Sequence, residues 1–216
     1  MPQVNVIRWR DGQGWIVLSG GSDRTLEDTS DIEAQAMTRI GLGEPVAYLW
    51  AAGDIESADR HLEILTDLGA PTGYLVDVMT EDDATISRQI AEAGMVILGD
   101  GPNLEQLRTA TVGAALEGMN QAFARGGVIM GIGAGAALLG SFLEGAAGLS
   151  WVEGAVIMPR HDEEVQAARL HSLLAAHPGA YGLGIGAGSA LALGPNGEVE
   201  AWGLRQITVT LGHSSA

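Results

Sequence analysis

Five short apolar runs, each followed by a segment of helical periodicity, constrain this chain more than any other feature. The runs occupy residues 15–18 (Trp-Ile-Val-Leu), 45–51, 74–78, 95–98 (Met-Val-Ile-Leu) and 127–130. Between them, Ile32, Ala36 and Ile40 recur at helical spacing, with Asp28 or Ser30 as caps, and Leu62 and Leu65 mark one face of a helix over 57–68. A short helix over 83–93 and a longer one over 104–125, broken near Gly113, complete the alternation. Neither face of the runs is polar, so the sheet they build must be covered on both sides. This predicts an α/β chain, a three-layer α/β/α sandwich with a largely parallel central sheet.

The remainder is richer in strands, at 155–158, 183–185, 189–193 and 206–211, with a helix over 163–176 and a hairpin turn at Pro195-Asn196-Gly197-Glu198. In parallel sheets, ligands gather beyond the C-terminal strand ends. The loops at Gly20-Gly21, 100–103 and 132–135 are therefore where a site is expected.

Length predicts one domain spanning 1–216, and 46% hydrophobic content excludes a disordered chain. Acidic residues outnumber basic ones 27 to 11, for a net charge of −16, which argues against nucleic acid and anionic membranes as partners. Without cysteine, the chain has no thiolate nucleophile or thiolate metal ligand. The opening MPQVNVIRWRDGQGW alternates polar and apolar residues, unlike a secretory signal, and no apolar run reaches the roughly 20 residues of a membrane helix. A cytoplasmic protein is expected.

Residues 127–140, GVIMGIGAGAALLG, carry a strand directly into small residues. A nucleophile elbow has this build, because small neighbours let the chain bend sharply and the substrate approach. Here the corner falls on Gly133, which has no side chain to attack with. The same stretch departs from Gly-x-Gly-x-x-Gly and no P-loop lysine follows, so no nucleotide cofactor is expected. His161-Asp162-Glu163-Glu164 lacks a second histidine at metal-binding spacing; its carboxylates suit a helix start, and no metal is expected.

Together these segments resemble the S51 serine peptidases, the group containing dipeptidase E and cyanophycinase, whose fold is like that of class I glutamine amidotransferases, a flavodoxin-like arrangement. The family's elbow, Gly-Thr-Ser-Ala-Gly-Ala, is similar to Gly131-Ile132-Gly133-Ala134-Gly135-Ala136, which puts the nucleophile position on Gly133. Its oxyanion loop resembles Leu98-Gly99-Asp100-Gly101-Pro102-Asn103, with Asp100 and Pro102 as departures and Gly101 as the expected N–H donor. Its catalytic histidine corresponds to His161, ahead of Arg169-Leu170. Its Gly-Ile-Gly-Ile-Asp-Glu-Gly-Thr-Ala segment resembles residues 182–190, where the acidic pair has become Gly186 and Ala187.

Ser-His-acid chemistry requires the attacking hydroxyl, and Gly133 removes it. Ser141, read as continuing the elbow helix, would lie about 12 Å along its axis. Ser22 and Ser189 are the other hydroxyls considered. The resemblance and its paired losses imply a non-peptidase homologue without covalent hydrolysis, binding a small carboxylate or peptide through Gly101, Asn103, Gly133, Ala134 and a remnant His161. One alternative is an active S51-like peptidase or amidohydrolase using His161 with a displaced serine or activated water; another is a scaffold in which the elbow merely packs. Trp50 is placed to line a pocket and Trp151 to seal it. The apolar run 207–211 resembles an edge strand needing cover, which favours a homodimer.

Overall fold

The computed structural model describes residues 7–22, 29–70 and 72–212; the proposed cap Asp28 lies outside them. The elements run β1 (Arg8–Trp9), β2 (Trp15–Ser19), α1 (Ser30–Met37), β3 (Val46–Leu49), α2 (Ile55–Asp67), β4 (Gly73–Val76), α3 (Asp83–Glu92) and β5 (Met95–Leu98). Then follow α4 (Leu104–Thr111), α5 (Ala114–Ala124), β6 (Val128–Ile132), α6 (Ala134–Leu138), β7 (Phe142–Leu143), β8 (Ala146–Ala147) and β9 (Val152–Glu153). The chain continues through β10 (Ala155–Pro159), α7 (Glu164–Ala176), β11 (Tyr181–Ile185), β12 (Ser189–Leu193), β13 (Val199–Gly203) and β14 (Ile207–Leu211).

The central sheet has the order β13-β12-β2-β6-β5-β3-β4. Strands β2, β6, β5, β3 and β4 are mutually parallel, whereas β12 runs antiparallel to β2, and β13 antiparallel to β12. The sheet is thus mixed: a parallel centre with an antiparallel hairpin at one edge. That hairpin turns at the Pro195–Glu198 stretch because a short loop can join only antiparallel neighbours. A second sheet, β10-β11-β14, pairs β10 and β11 in parallel and β14 antiparallel to β11.

Alternation along each central strand explains the continuous apolar runs. Ile16, Leu18, Val96 and Leu98 face one core with α3, α4, α5, α6 and the second sheet; Val17, Met95 and Ile97 face the other, with α1 and α2. Both faces are buried, so no position in these strands needs to be polar. Helix α7 covers the outer face of the second sheet through Leu170 and Leu174. The helical stretch after residue 104 breaks at Gly113, whose φ of 96° is a left-handed conformation that glycine takes without a Cβ penalty.

A buried polar cluster fastens α1 and α2 to β3. Glu33 Oε1 lies 2.5 Å from His61 Nε2, His61 Nδ1 lies 3.2 Å from the Tyr48 hydroxyl, and Thr29 Oγ1 donates to Glu33 Oε1 at 3.0 Å. The Glu33 and His61 side chains are 0% and 2% exposed, and Glu33 Oε2 has no hydrogen-bond partner. Burial, reinforced by the negative charge of Glu33, pushes the Tyr48 phenol well above its ordinary range. Removing one partner of such a pair strands the other charge in the core. His61→Ala should therefore lower stability by about 3–5 kcal/mol in urea unfolding, more than truncation of the exposed ion-pair residue Arg108.

Candidate active site

Strand β6 delivers the chain to Gly133, where φ is 52° and ψ −111°. This is a sharp strand-to-helix turn of the kind a nucleophile elbow uses, held by the N–H of Gly133 donating to the Ser19 carbonyl at 3.0 Å and by Ala137 N–H donating to the Gly133 carbonyl at 3.0 Å. Its neighbours are small because the backbones nearly touch. A Cβ on Gly131 would lie 2.6 Å from Ala136 N, and an added Cβ on Gly135 2.1 Å from the Leu98 carbonyl oxygen.

The space in front of Gly133 is filled by Asp100, two residues beyond β5. A Cβ added to Gly133 would lie 2.2 Å from Asp100 Cγ and Oδ1 and 2.5 Å from Oδ2. Asp100 Oδ1 accepts from Gly101 N–H at 2.8 Å and from Ala134 N–H at 2.9 Å, while Oδ2 pairs with Arg160 Nη2. In an acyl-transfer site, N–H donors at these places would stabilise a developing oxyanion. Here they hold a carboxylate of the chain itself. The Gly20–Gly21 loop closes another side: an added Cβ on Gly21 would lie 3.4 Å from Arg160 Nη2 and 3.6 Å from Asp100 Oδ2.

Arg160 reaches this corner because it leaves β10 with φ of 51°, a left-handed conformation uncommon for a side-chain-bearing residue. His161, next in sequence, is carried the other way. Its N–H donates to the Ile185 carbonyl at 3.1 Å, and its ring packs so closely on Gly184 that an added Cβ there would meet His161 Cγ at 2.3 Å. His161 Nε2 is buried without a hydrogen-bond partner. Burial first, then nearby His171, lowers its pKa from 6.5, with Asp162 acting in the opposite direction.

A crevice of about 250 Å³ opens beside the corner. Asp100 and Arg160 line it at one end, with apolar Leu104, Ile157 and Leu173 and the Glu144–Arg169 ion pair along the rest. Of the residues the sequence singled out, Gly101, Gly133 and Ala134 thus meet around one carboxylate, whereas Asn103 and His161 are not among those lining the crevice. Asn103 is exposed and begins α4 without a side-chain capping bond. Nor does either tryptophan line the crevice: Trp151 is fully buried, edge-on to Phe123 with ring centres 5.1 Å apart, so it belongs to the core.

Two of the alternative hydroxyls, those of Ser141 and Ser189, are engaged elsewhere. Helix α6 ends at Leu138, so Ser141 is not on a continued helix; its Oγ accepts from Gly154 N–H at 2.9 Å. Ser189 Oγ accepts from Gln206 N–H at 3.0 Å. At the positions where the resemblance places an acidic pair, Gly186 packs against Gln206, and Ala187 N–H donates to Asp162 Oδ1 at 2.9 Å. Among the described residues, no three of His, Asp and Glu cluster as a metal ion would require, and no helix is long and apolar enough to cross a membrane.

Asp100 and Arg160 are what sequence reasoning missed. Asp100 is marked in the sequence only as a departure in the oxyanion loop, and Arg160 carries no mark of its own. The signal available was the joint occurrence of an acid in that loop and a glycine at the corner.

No protein-family model and no curated protein matches the sequence. Solved structures do match by fold. A peptidase from an acI-B1 Actinobacterium superposes with a TM-score of 0.75 at 16% identity, over 94% of this chain and 93% of that one. A provisionally assigned peptidase E protein from Listeria monocytogenes EGD-e gives 0.69 at 15% identity, over 88% of this chain and 98% of that one. The chain therefore has the α/β fold of peptidase E-like proteins.

Two outcomes follow from this geometry. Gly133→Ser should not create a reactive serine, because its Cβ collides with Asp100 and the left-handed φ disfavours a side chain; a loss of about 2–4 kcal/mol is expected in thermal unfolding, partly relieved by adding Asp100→Gly. The lowered pKa of His161 means that the unfolded chain binds the proton first on acidification. Its contribution to stability is present above pH 6.5 and is lost as pH falls through the depressed folded-state value, so His161→Gln should flatten that part of the stability profile.

Proposed function

We propose that this chain is a non-peptidase homologue of the S51 serine peptidases, with a class I glutamine amidotransferase-like architecture, that lacks covalent hydrolysis and binds a small carboxylate or peptide in the crevice beside Gly133. The observation that carries this reading is the Asp100 carboxylate standing where a corner side chain would begin and occupying the Gly101 and Ala134 N–H groups. Covalent catalysis needs a nucleophile at the corner and an unoccupied place for the oxyanion. Both requirements fail for one steric reason. The crevice supports the binding half of the reading, since it joins apolar walls to a few convergent polar groups.

The alternative, hydrolysis through His161 with water or a displaced serine, draws no support from the imidazole packed on Gly184 or from the engaged Ser141 and Ser189 hydroxyls. A cytoplasmic homodimer is the setting we propose for the protein.

The test is prolonged incubation of concentrated protein with acidic dipeptides, alongside a fluorophosphonate probe read by intact-mass spectrometry. Neither product nor adduct is expected. Turnover, or a modified hydroxyl facing Gly133, would overturn the reading. Calorimetric titration with the same dipeptides is expected to show saturable binding that Leu173→Trp, by filling the crevice, abolishes.

A further inference from the structure

Three separate parts of the chain converge on one side chain. The loop after β5 supplies Gly101 N–H, the turn after β6 supplies Ala134 N–H, and the turn after β10 supplies the Arg160 guanidinium, all to Asp100. Gly101 N–H is the neighbour of Asp100 in sequence, but Ala134 N–H and the Arg160 guanidinium come from distant segments and suit any carboxylate placed there. The acid that fills the place is also within reach of solvent. The Asp100 and Arg160 side chains are 28% and 29% exposed, whereas the Glu33–His61 pair is sealed in the core. Asp100 can thus turn to solvent without opening the hydrophobic interior, and a partly exposed ion pair is weakly held.

The crevice gives the place a second feature that structural support alone does not call for. Leu104, Ile157 and Leu173 give the cavity beside the ion pair apolar walls, and the exposed Glu144–Arg169 ion pair also lines it. The Asp100 side chain, one methylene long, contributes its carboxylate to the donors and no aliphatic body to that cavity. A ligand with both parts would satisfy both regions at once.

We propose that Asp100 is a displaceable internal occupant of a carboxylate site. A small monocarboxylate with a branched aliphatic tail binds by taking its place on Gly101 N–H, Ala134 N–H and Arg160, with the tail entering the crevice. The inference rests on the crevice being a ligand site, as proposed above, and adds how that site is gated. An internal competitor lowers apparent affinity by the fraction of molecules in which it is displaced. The wild-type protein is therefore a weak receptor whose strength is set by one side chain.

The test uses 4-methylpentanoate and its uncharged analogue 4-methylpentanamide as probes, with the full chain as wild type, Asp100→Ala and the double variant Asp100→Ala/Arg160→Met. Affinity is read by calorimetry, and the Gly101 and Ala134 amide resonances by NMR. Asp100→Ala should bind the carboxylate at least about ten-fold more tightly than wild type, shift both amides, gain nothing for the carboxamide, and lose its gain in the double variant. Equal gains for both probes, or no gain for the carboxylate, would overturn the proposal. If Asp100→Ala does not fold, Asp100→Asn removes the charge held by Arg160 while keeping the side-chain shape, and the same two criteria apply to it. Peptide turnover by the wild type would sink the non-peptidase reading without touching this exchange; an inert protein with no gain on loss of Asp100 would sink the exchange alone.

Discussion

The contact on which the corner at Gly133 depends is the Asp100 carboxylate held between two backbone N–H groups and one guanidinium. It joins the ends of β5 and β6, neighbours in the central sheet, to the end of β10 in the second sheet. At a strand-to-helix corner, N–H groups point outward with no partner in the preceding strand. Such donors need water, a ligand or a side chain. This chain supplies a side chain, and in doing so it uses the volume that a residue at position 133 would need.

That exchange accounts for several features together. A glycine at the corner relieves the conformational cost of its positive φ and leaves room for the carboxylate. The left-handed Arg160 turns its guanidinium toward the same point and sends His161 onto Gly184. The Gly20–Gly21 loop lies against the pair, with Gly21 in a left-handed conformation of φ 78° that favours glycine. The backbone thus keeps a sharp strand-to-helix corner whose front is filled by a carboxylate, with the His161 ring packed on Gly184 instead.

Much of the architecture was legible in the sequence because the two-sided burial of a parallel sheet leaves continuous apolar runs. The runs at 95–98 and 189–193 coincide with β5 and β12, and the break near Gly113 separates α4 from α5. The antiparallel edge formed by β12 and β13 was visible only as a turn, since strand direction has no local signature beyond loop length. The two-residue strands β1, β7, β8 and β9 were not read, being too short to show any period. Helix α6 proved shorter than the run of small residues suggested, which moved Ser141 off its expected axis.

The candidate site divided along similar lines. Composition and order of residues by themselves determined an α/β frame, a strand-to-helix corner at 133 and the lack of a nucleophile there, because each follows from side-chain chemistry and local periodicity. Only the tertiary structure decided which group fills that corner, that Arg160 and not the adjacent His161 reaches it, and that Trp151 lies in the core. Those outcomes depend on the meeting of segments far apart in sequence, 34 residues for Asp100 with Ala134 and 60 for Asp100 with Arg160, and on a single backbone dihedral that reverses the direction of neighbouring side chains, neither of which is encoded in any one stretch of the chain.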